Sequence, residues 1–429
     1  MIAAQPYRDF ASPAQRPWRV VASVAVIGFV IAGSSAGVIG SVLGPLMREF
    51  QWSNSLASSL ATAYSLGVLL TTPPVGVALD KFGARVVMTC GTVVASTGLI
   101  IASRCHSWSP ILAAFALLGI GVSGSFYLPS AVVITNWMGA RRSLGMGIVM
   151  SAMSAGAALF SPLVGWWTEL HGWRLTLESI AVLIALMLPL VVLIVRTTPP
   201  GELQTSLGTK KKPAAHSTRR ELLSPLFLLS TAGGVLFSLG MQGVYFHVVP
   251  LLISTGYSAH AAGLAFGGTW LLSGFGSLVL GLVADRFDTK AVLALSLLCG
   301  ALGTLFLLGV GVTGMGVTCV LAFVLLWGTS TNGFGQLAPV IVAERFGSHN
   351  LGTLVGTQFT IAGMAGAGAP MVTGLLYDKF GGYRLAIEFS ALAGFVGFVA
   401  IALINTPKLV DAESPVRRYT AACRLSKTV

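Results

Sequence analysis

The sequence predicts an all-α polytopic membrane protein: twelve transmembrane helices arranged as two six-helix bundles. Three observations carry this expectation. Hydrophobic residues make up 54 % of the 429 residues and charged residues only 9 %, against about 25 % charged in soluble proteins. Twelve apolar runs follow one another, each near or above the roughly 18–20 residues that cross a bilayer as a helix. A charged connection then recurs half a chain apart. Gly76-Val-Ala-Leu-Asp80-Lys81-Phe-Gly83-Ala-Arg85 lies between two apolar runs, and Gly281-Leu-Val-Ala-Asp285-Arg286-Phe-Asp288-Thr-Lys290 lies between two others.

In chain order the runs cover 19–46, 56–79, 86–103, 110–135, 145–167 and 176–195, then 222–253, 262–284, 291–310, 315–343, 353–376 and 386–404. Lipid offers no hydrogen bonds to bare backbone, so each run is expected as a helix, and the alternating pattern of a membrane barrel is absent. Residues 1–17 read as an N-terminal tail, 18–196 as one bundle, 197–220 as a linker, 221–405 as the second bundle and 406–429 as a tail. The linker is polar, with Pro199-Pro200 and Lys210-Lys211-Lys212. The first run is too long for the core of a cleavable leader, so it reads as a span.

A second repeat supports duplication. Ser161-Pro162-Leu-Val-Gly165 leads to Glu169 and Gly172-Trp173-Arg174; Ala369-Pro370-Met-Val-Thr-Gly374 leads to Asp378 and Gly382-Tyr383-Arg384. Parallel six-helix repeats with a site between them are a transporter architecture. Arg174 with Glu178, and Arg384 with Glu388, stand one helical turn apart and are expected to pair.

The net charge of +12 is topological. With both ends on one side, that side holds 21 of the 26 Lys and Arg, and the other keeps Arg48, Arg104, Arg174, Lys379 and Arg384. The positive-inside rule then puts both termini in the cytoplasm of a bacterial inner membrane. Nucleic acid is not expected as a partner. The five cysteines show no ligand spacing, and no metal or cofactor is expected.

The Gly76–Arg85 stretch resembles the signature between helices 2 and 3 of the major facilitator superfamily, and 281–290 its echo between helices 8 and 9. The resemblance covers about 18–405. It implies a secondary transporter whose signature aspartate bonds a neighbouring helix N-terminus and the nearby arginine, latching the cytoplasmic side. Carried over, Asp80 and Arg85 form that latch, with Asp285, Arg286 and Lys290 as its second copy. Within the superfamily the chain is most similar to the monocarboxylate transporter branch with its bacterial oxalate/formate relatives. The cues are Gly44-Pro45-Leu-Met-Arg48-Glu49-Phe-Gln-Trp52-Ser53, Trp137-Met-Gly-Ala-Arg141-Arg142, Gly172-Trp173-Arg174 and Phe246-His247-Val-Val-Pro250. Where animal members carry a helix 1 lysine and a helix 8 aspartate–arginine pair, this chain has Ser41, Ser273 and Ser277, so the substrate is not read from the resemblance.

Ionisable groups inside spans are costly and are functional suspects. Here His247 stands nearly alone, with a titration range suited to proton coupling or to a carboxylate contact. Tyr127, Gln242, Tyr245, Trp270, Asn332 and Gln336 are the mid-span polar groups expected to line a pocket, with Tyr64 a weaker member, and breaks beside Pro129, Pro250 and Pro339 would bare backbone groups to it. The expected function is alternating-access transport of a small organic carboxylate with protons, by a monomer in the bilayer. The rival within transport is proton-driven export of hydrophobic or drug-like compounds, suggested by Ser161-Pro162-x-x-Gly165. Enzyme motifs such as HExxH, GxSxG or a phosphate loop are absent, so catalysis is not expected.

Overall fold

The computed structural model describes residues 16–52, 54–196, 215–311, 314–347 and 350–404. Among these residues the chain makes twelve crossings, all helical. They are α1 (Arg16–Phe50), α2 (Asn54–Phe82), α3 (Ala84–Arg104), α4 (Trp108–Trp137), and α5 and α6 within Arg142–Ala185. The second half repeats them as α7 (Pro225–Ser254), α8 (Ala259–Ala284), α9 (Thr289–Phe306), α10 (Gly316–Phe346), α11 (Leu351–Phe380) and α12 (Arg384–Ala402). Most of the expected linker lies outside the described residues; its end forms a short helix, Ala215–Leu222.

Arg142–Ala185 is hydrogen-bonded almost throughout, yet it is two crossings. Gly172 sits at φ 81° and ψ 162° and turns the chain back between the limbs α5 and α6. Gly83 has the same angles between α2 and α3. A side chain rarely tolerates this conformation, and glycine does, so one residue replaces a loop. Leu188–Ile194 prolongs α6.

Two spans are locally irregular. In α4, Ser123–Tyr127 form a π-helical turn before Leu128–Trp137. Pro129 lacks the N–H that would bond the Ser125 carbonyl, and the wider turn absorbs that defect. In α10 the break falls at Thr331–Asn332, between Gly316–Ser330 and Gly333–Phe346, farther from Pro339 than expected. Pro250 lies inside α7, which continues to Ser254.

The halves meet along two helix pairs, α2 with α11 and α5 with α8. Both contacts depend on missing side chains, as close packing of membrane helices does. The Gly76 face of α2 lies directly on the Gly352 carbonyl, and a Cβ on Gly281 would stand 2.6 Å from the Ser143 carbonyl. Leu69 abuts Gly363, and Gly274 abuts Ser154. From Asp80 to Leu69 this seam runs about 16 Å at 1.5 Å per residue. It therefore fills the half of the molecule toward the basic connections, the basic face. Apolar packing follows the same line. The first core joins Leu79 and Leu128 to Val340, Leu354 and Val355 of the second half, while the other core stays within the second half.

Gly281→Val is expected to push α8 off α5, at a cost of about 1–3 kcal/mol for overpacking. A cysteine at Ser154, now buried, should then react with a maleimide added from the basic face. Unchanged labelling would count against the seam as the closing contact.

Candidate transport cleft and its gate

Each half contributes an aspartate that caps a helix of the other half. Asp80, in the last turn of α2, accepts from Gly352 N (3.0 Å), Thr353 N (2.8 Å) and Thr353 Oγ1 (2.6 Å) at the start of α11. Asp285, just past α8, accepts from Ser143 N (3.0 Å) and Leu144 N (3.2 Å) at the start of α5. The first amides of a helix have no partner within it and carry the positive end of its dipole, so a carboxylate there is strongly held. Hydrogen bonds to charged groups contribute about 1.5–3 kcal/mol each. Burial pushes the Asp285 carboxyl above its ordinary range, against the amides of Leu144 and Ser143 and the Arg141 charge, which pull it down.

The basic residues act differently from the latch that the resemblance implies. Arg85 Nε donates to the Val195 carbonyl (3.1 Å) at the end of α6. Lys290 Nζ donates to Ile404 (2.9 Å) and Ala402 (3.2 Å) at the end of α12. Arg286 is exposed. The aspartates already receive amide donors, whereas the last carbonyls of α6 and α12 need donors and sit at the negative end of their dipoles. The cations therefore brace each half internally, and the carboxylates join the halves.

Deeper in the seam the bonds are neutral. Asn332 Nδ2 donates to Ser277 Oγ (3.0 Å) and Ser154 Oγ (3.3 Å), and Gln336 Nε2 donates to the carbonyls of Ser277 (2.9 Å) and Ser143 (3.3 Å). Gln336 is 0 % exposed, so it is glue between α10, α8 and α5, shut away from any cleft. Asn332 is half-buried at the inner limit of the seam.

Beyond that limit stand the aromatic candidates. The phenols of Tyr64 and Tyr127 lie within interaction range of each other, and Tyr245 lies within electrostatic range of Tyr127 across the two halves. Tyr245 makes edge contacts with Phe266 (5.1 Å) and Trp270 (6.1 Å). Tyr64 is five residues past Leu69, and Trp270 four past Gly274, in the direction away from the basic face. The seam is thus a floor, with tyrosines and a tryptophan above it.

His247 and Gln242 stand apart from this group. His247 Nε2 lies 3.1 Å from the Pro370 carbonyl of α11, with its ring 5.8 Å from that of Tyr383. A carbonyl only accepts, so Nε2 carries a proton. Thr373 and Ser390 line the same narrow cleft inside the second half. Gln242 packs on Gly366 of α11.

On the face opposite the basic one, no hydrogen bond or ion pair joins the halves among the described residues. The ties there are internal. Glu49 accepts from Trp173 Nε1 (2.5 Å) and Arg174 Nη1 (2.7 Å), and the Trp173 bond leads in holding its carboxyl below the ordinary value. Glu178 pairs with Arg104 at 3.0 Å. The expected Arg174–Glu178 pair is therefore replaced by two partners from neighbouring helices, since the two side chains look toward α1 and α3. Arg384 and Glu388 do pair, at 2.9 Å. Among the described residues the bonds that join the halves all lie toward the basic face.

Sequence reasoning missed the groups that receive the two aspartates. Ser143, Leu144 and Thr353 act mainly through backbone amides, which leave no compositional signal. Ser154 and Ser277 are ordinary small helix residues until the other half faces them.

The family model of the Major Facilitator Superfamily matches residues 25–258 and again 231–426. The chain belongs to that superfamily. It is 26 % identical over 368 residues to the uncharacterized MFS-type transporter YcxA of Bacillus subtilis (strain 168), covering 83 % of this chain and 87 % of that protein. It is 24 % identical over 361 residues to monocarboxylate transporter 12 of Xenopus laevis, covering 77 % and 76 %. Among solved structures it is similar to the proton:xylose symporter XylE, with a TM-score of 0.74 and 14 % identity over 92 % of this chain and 97 % of that one. It is a multi-pass membrane transporter of this superfamily.

Replacing either aspartate by asparagine should loosen the gate, and Asp80→Asn with Asp285→Asn together should open it. The measurement is the distance between spin labels at Lys81 and Arg286, exposed ends of α2 and α8. A longer distance, with lost transport, is expected. A distance unchanged in the double variant would remove the carboxylates from the gating role.

Proposed function

We propose that this transporter carries a small organic carboxylate together with protons by alternating access, as a monomer in a bacterial inner membrane. The observation that carries the reading is the pair of crossed aspartate caps. They hold one end shut by bonds that break together when the halves rock, while among the described residues no hydrogen bond or ion pair joins the halves at the other end. The 21-to-5 division of basic residues supports assigning the shut end to the cytoplasm, and hence an outward-facing state. The cleft lies between two halves of one chain, so a single copy supplies every wall.

The carboxylate reading draws support from the relative named monocarboxylate transporter 12, and proton coupling from the structural neighbour named a proton:xylose symporter. Two carriers of the proton are available, the His247 imidazole and the substrate's own carboxyl group. Asp80 and Asp285 serve as the gate, Arg85 and Lys290 as braces within each half, and Tyr64, Tyr127, Tyr245 and Trp270 as cleft walls.

Uptake of radiolabelled lactate and benzoate into right-side-out vesicles should rise when the outside is made acid and fall when a protonophore collapses the gradient. If neither acid enters under any gradient while a lipophilic dye is driven out, the exporter reading replaces this one.

A further inference from the structure

Resting on the carboxylate reading, we infer that the cleft above the seam takes an aromatic acid in its neutral, protonated form. The ring lies against Tyr245 and Trp270, the carboxyl meets the Tyr64–Tyr127 hydroxyl pair, and the transported proton is the substrate's own.

Charge decides the protonation state. No Asp, Glu, Lys or Arg occurs within ten residues, before or after, of Tyr64, Tyr127, Tyr245, Trp270 or Asn332. Five different helices therefore bring no countercharge to this depth. A carboxylate drawn into such a place loses its hydration and gains no cation, and the usual outcome is that the group neutralises instead. The titratable side chains bordering the cleft are Tyr64 of α2, Tyr127 of α4 and Tyr245 of α7. Along the stretches of α1, α5, α8, α10 and α11 that bound it, no ionisable side chain is present among the described residues. His247, two residues from Tyr245, is turned onto the Pro370 carbonyl and the Tyr383 ring.

Shape selects the ring. Tyr245 already holds Phe266 and Trp270 edge-on at 5.1 Å and 6.1 Å, and aromatic groups prefer edge or offset contacts at such spacing. A phenol hydroxyl both donates and accepts. The Tyr64–Tyr127 pair, half-buried and opposite that wall, thus offers the two complementary contacts of a protonated carboxyl, whose O–H donates and whose carbonyl accepts.

The proton balance is simple. R–COOH binds from the acid side, crosses when the halves rock, and separates into R–COO⁻ and H⁺ on the other side. One proton moves per acid and no net charge crosses.

The test is calorimetric titration of the purified full chain with benzoic acid, benzamide and benzenesulfonate at about pH 6, 7 and 8. An acid with a pKa near about 4 loses its neutral form about tenfold per pH unit, so the apparent Kd of benzoic acid should rise about tenfold per unit. Benzamide, always neutral, should bind with one affinity throughout, and benzenesulfonate, always charged, should not bind. Trp270→Ala and Tyr245→Ala should each weaken benzamide about two- to tenfold, while His247→Gln should leave the benzoic acid slope unchanged. A flat slope, sulfonate binding as tightly as benzoate, or a slope abolished by His247→Gln would overturn the inference. Binding of lactate but of none of the aromatic probes would overturn it and leave the carboxylate reading standing. If no acid of either kind binds or is taken up, both fall.

Discussion

Two carboxylates reach across the middle of the molecule and end on the bare amides of helices that belong to the other half. Asp80 holds the start of α11, and Asp285 holds the start of α5. Everything near them follows from that requirement. The helices must approach until backbone meets backbone, so the contacting positions are Gly76, Gly281, Gly352 and Gly147. Where that contact ends, Tyr64, Tyr127, Tyr245 and Trp270 follow on the side away from the basic face.

The two seams are built on one plan and finished differently. Between α5 and α8 the join is polar at depth, through Asn332, Gln336, Ser154 and Ser277. Between α2 and α11 it is apolar at the same level, with Leu69 on Gly363 and Leu128 of the neighbouring α4 near Gly356. A neutral amide buried in a low-dielectric seam is costly once its partner leaves, because its donors then lack acceptors. The α5–α8 side therefore resists parting through its buried amides and the two bonds on Asp285, and the α2–α11 side through the three bonds on Asp80. Opening the basic face breaks both sets at once, which favours an all-or-none change.

Strong charge is kept to the rims. Arg85 and Lys290 finish the ends of α6 and α12, and Glu49 with Arg174 and Glu178 with Arg104 tie one half together at the far face. Each of these bonds lies within a half, so each makes that half stiffer without resisting the motion between halves. The arrangement suits a body that moves as two rigid pieces; among the described residues the charged bonds across the divide are those of Asp80 and Asp285.

The chain of residues by itself determined the helices, their number, the twofold repeat and which two aspartates stand at the repeated connections. Those depend on local facts: the length of apolar runs, the cost of bare backbone in lipid, and a charged motif that recurs. It also brought Tyr64, Tyr127, Tyr245 and Trp270 to notice as mid-span polar groups. Only the tertiary structure decided what each side chain touches. Gln336 went into the seam, His247 turned to α11, Arg174 chose Glu49 over Glu178, and Arg85 left Asp80 for the end of α6. The reason is the same in each case. A helical residue offers one direction, and its partner comes from a neighbouring helix far away in sequence. The amides of Ser143, Leu144 and Thr353 are the extreme example, for every residue but proline owns one, and only the fold leaves these few bare.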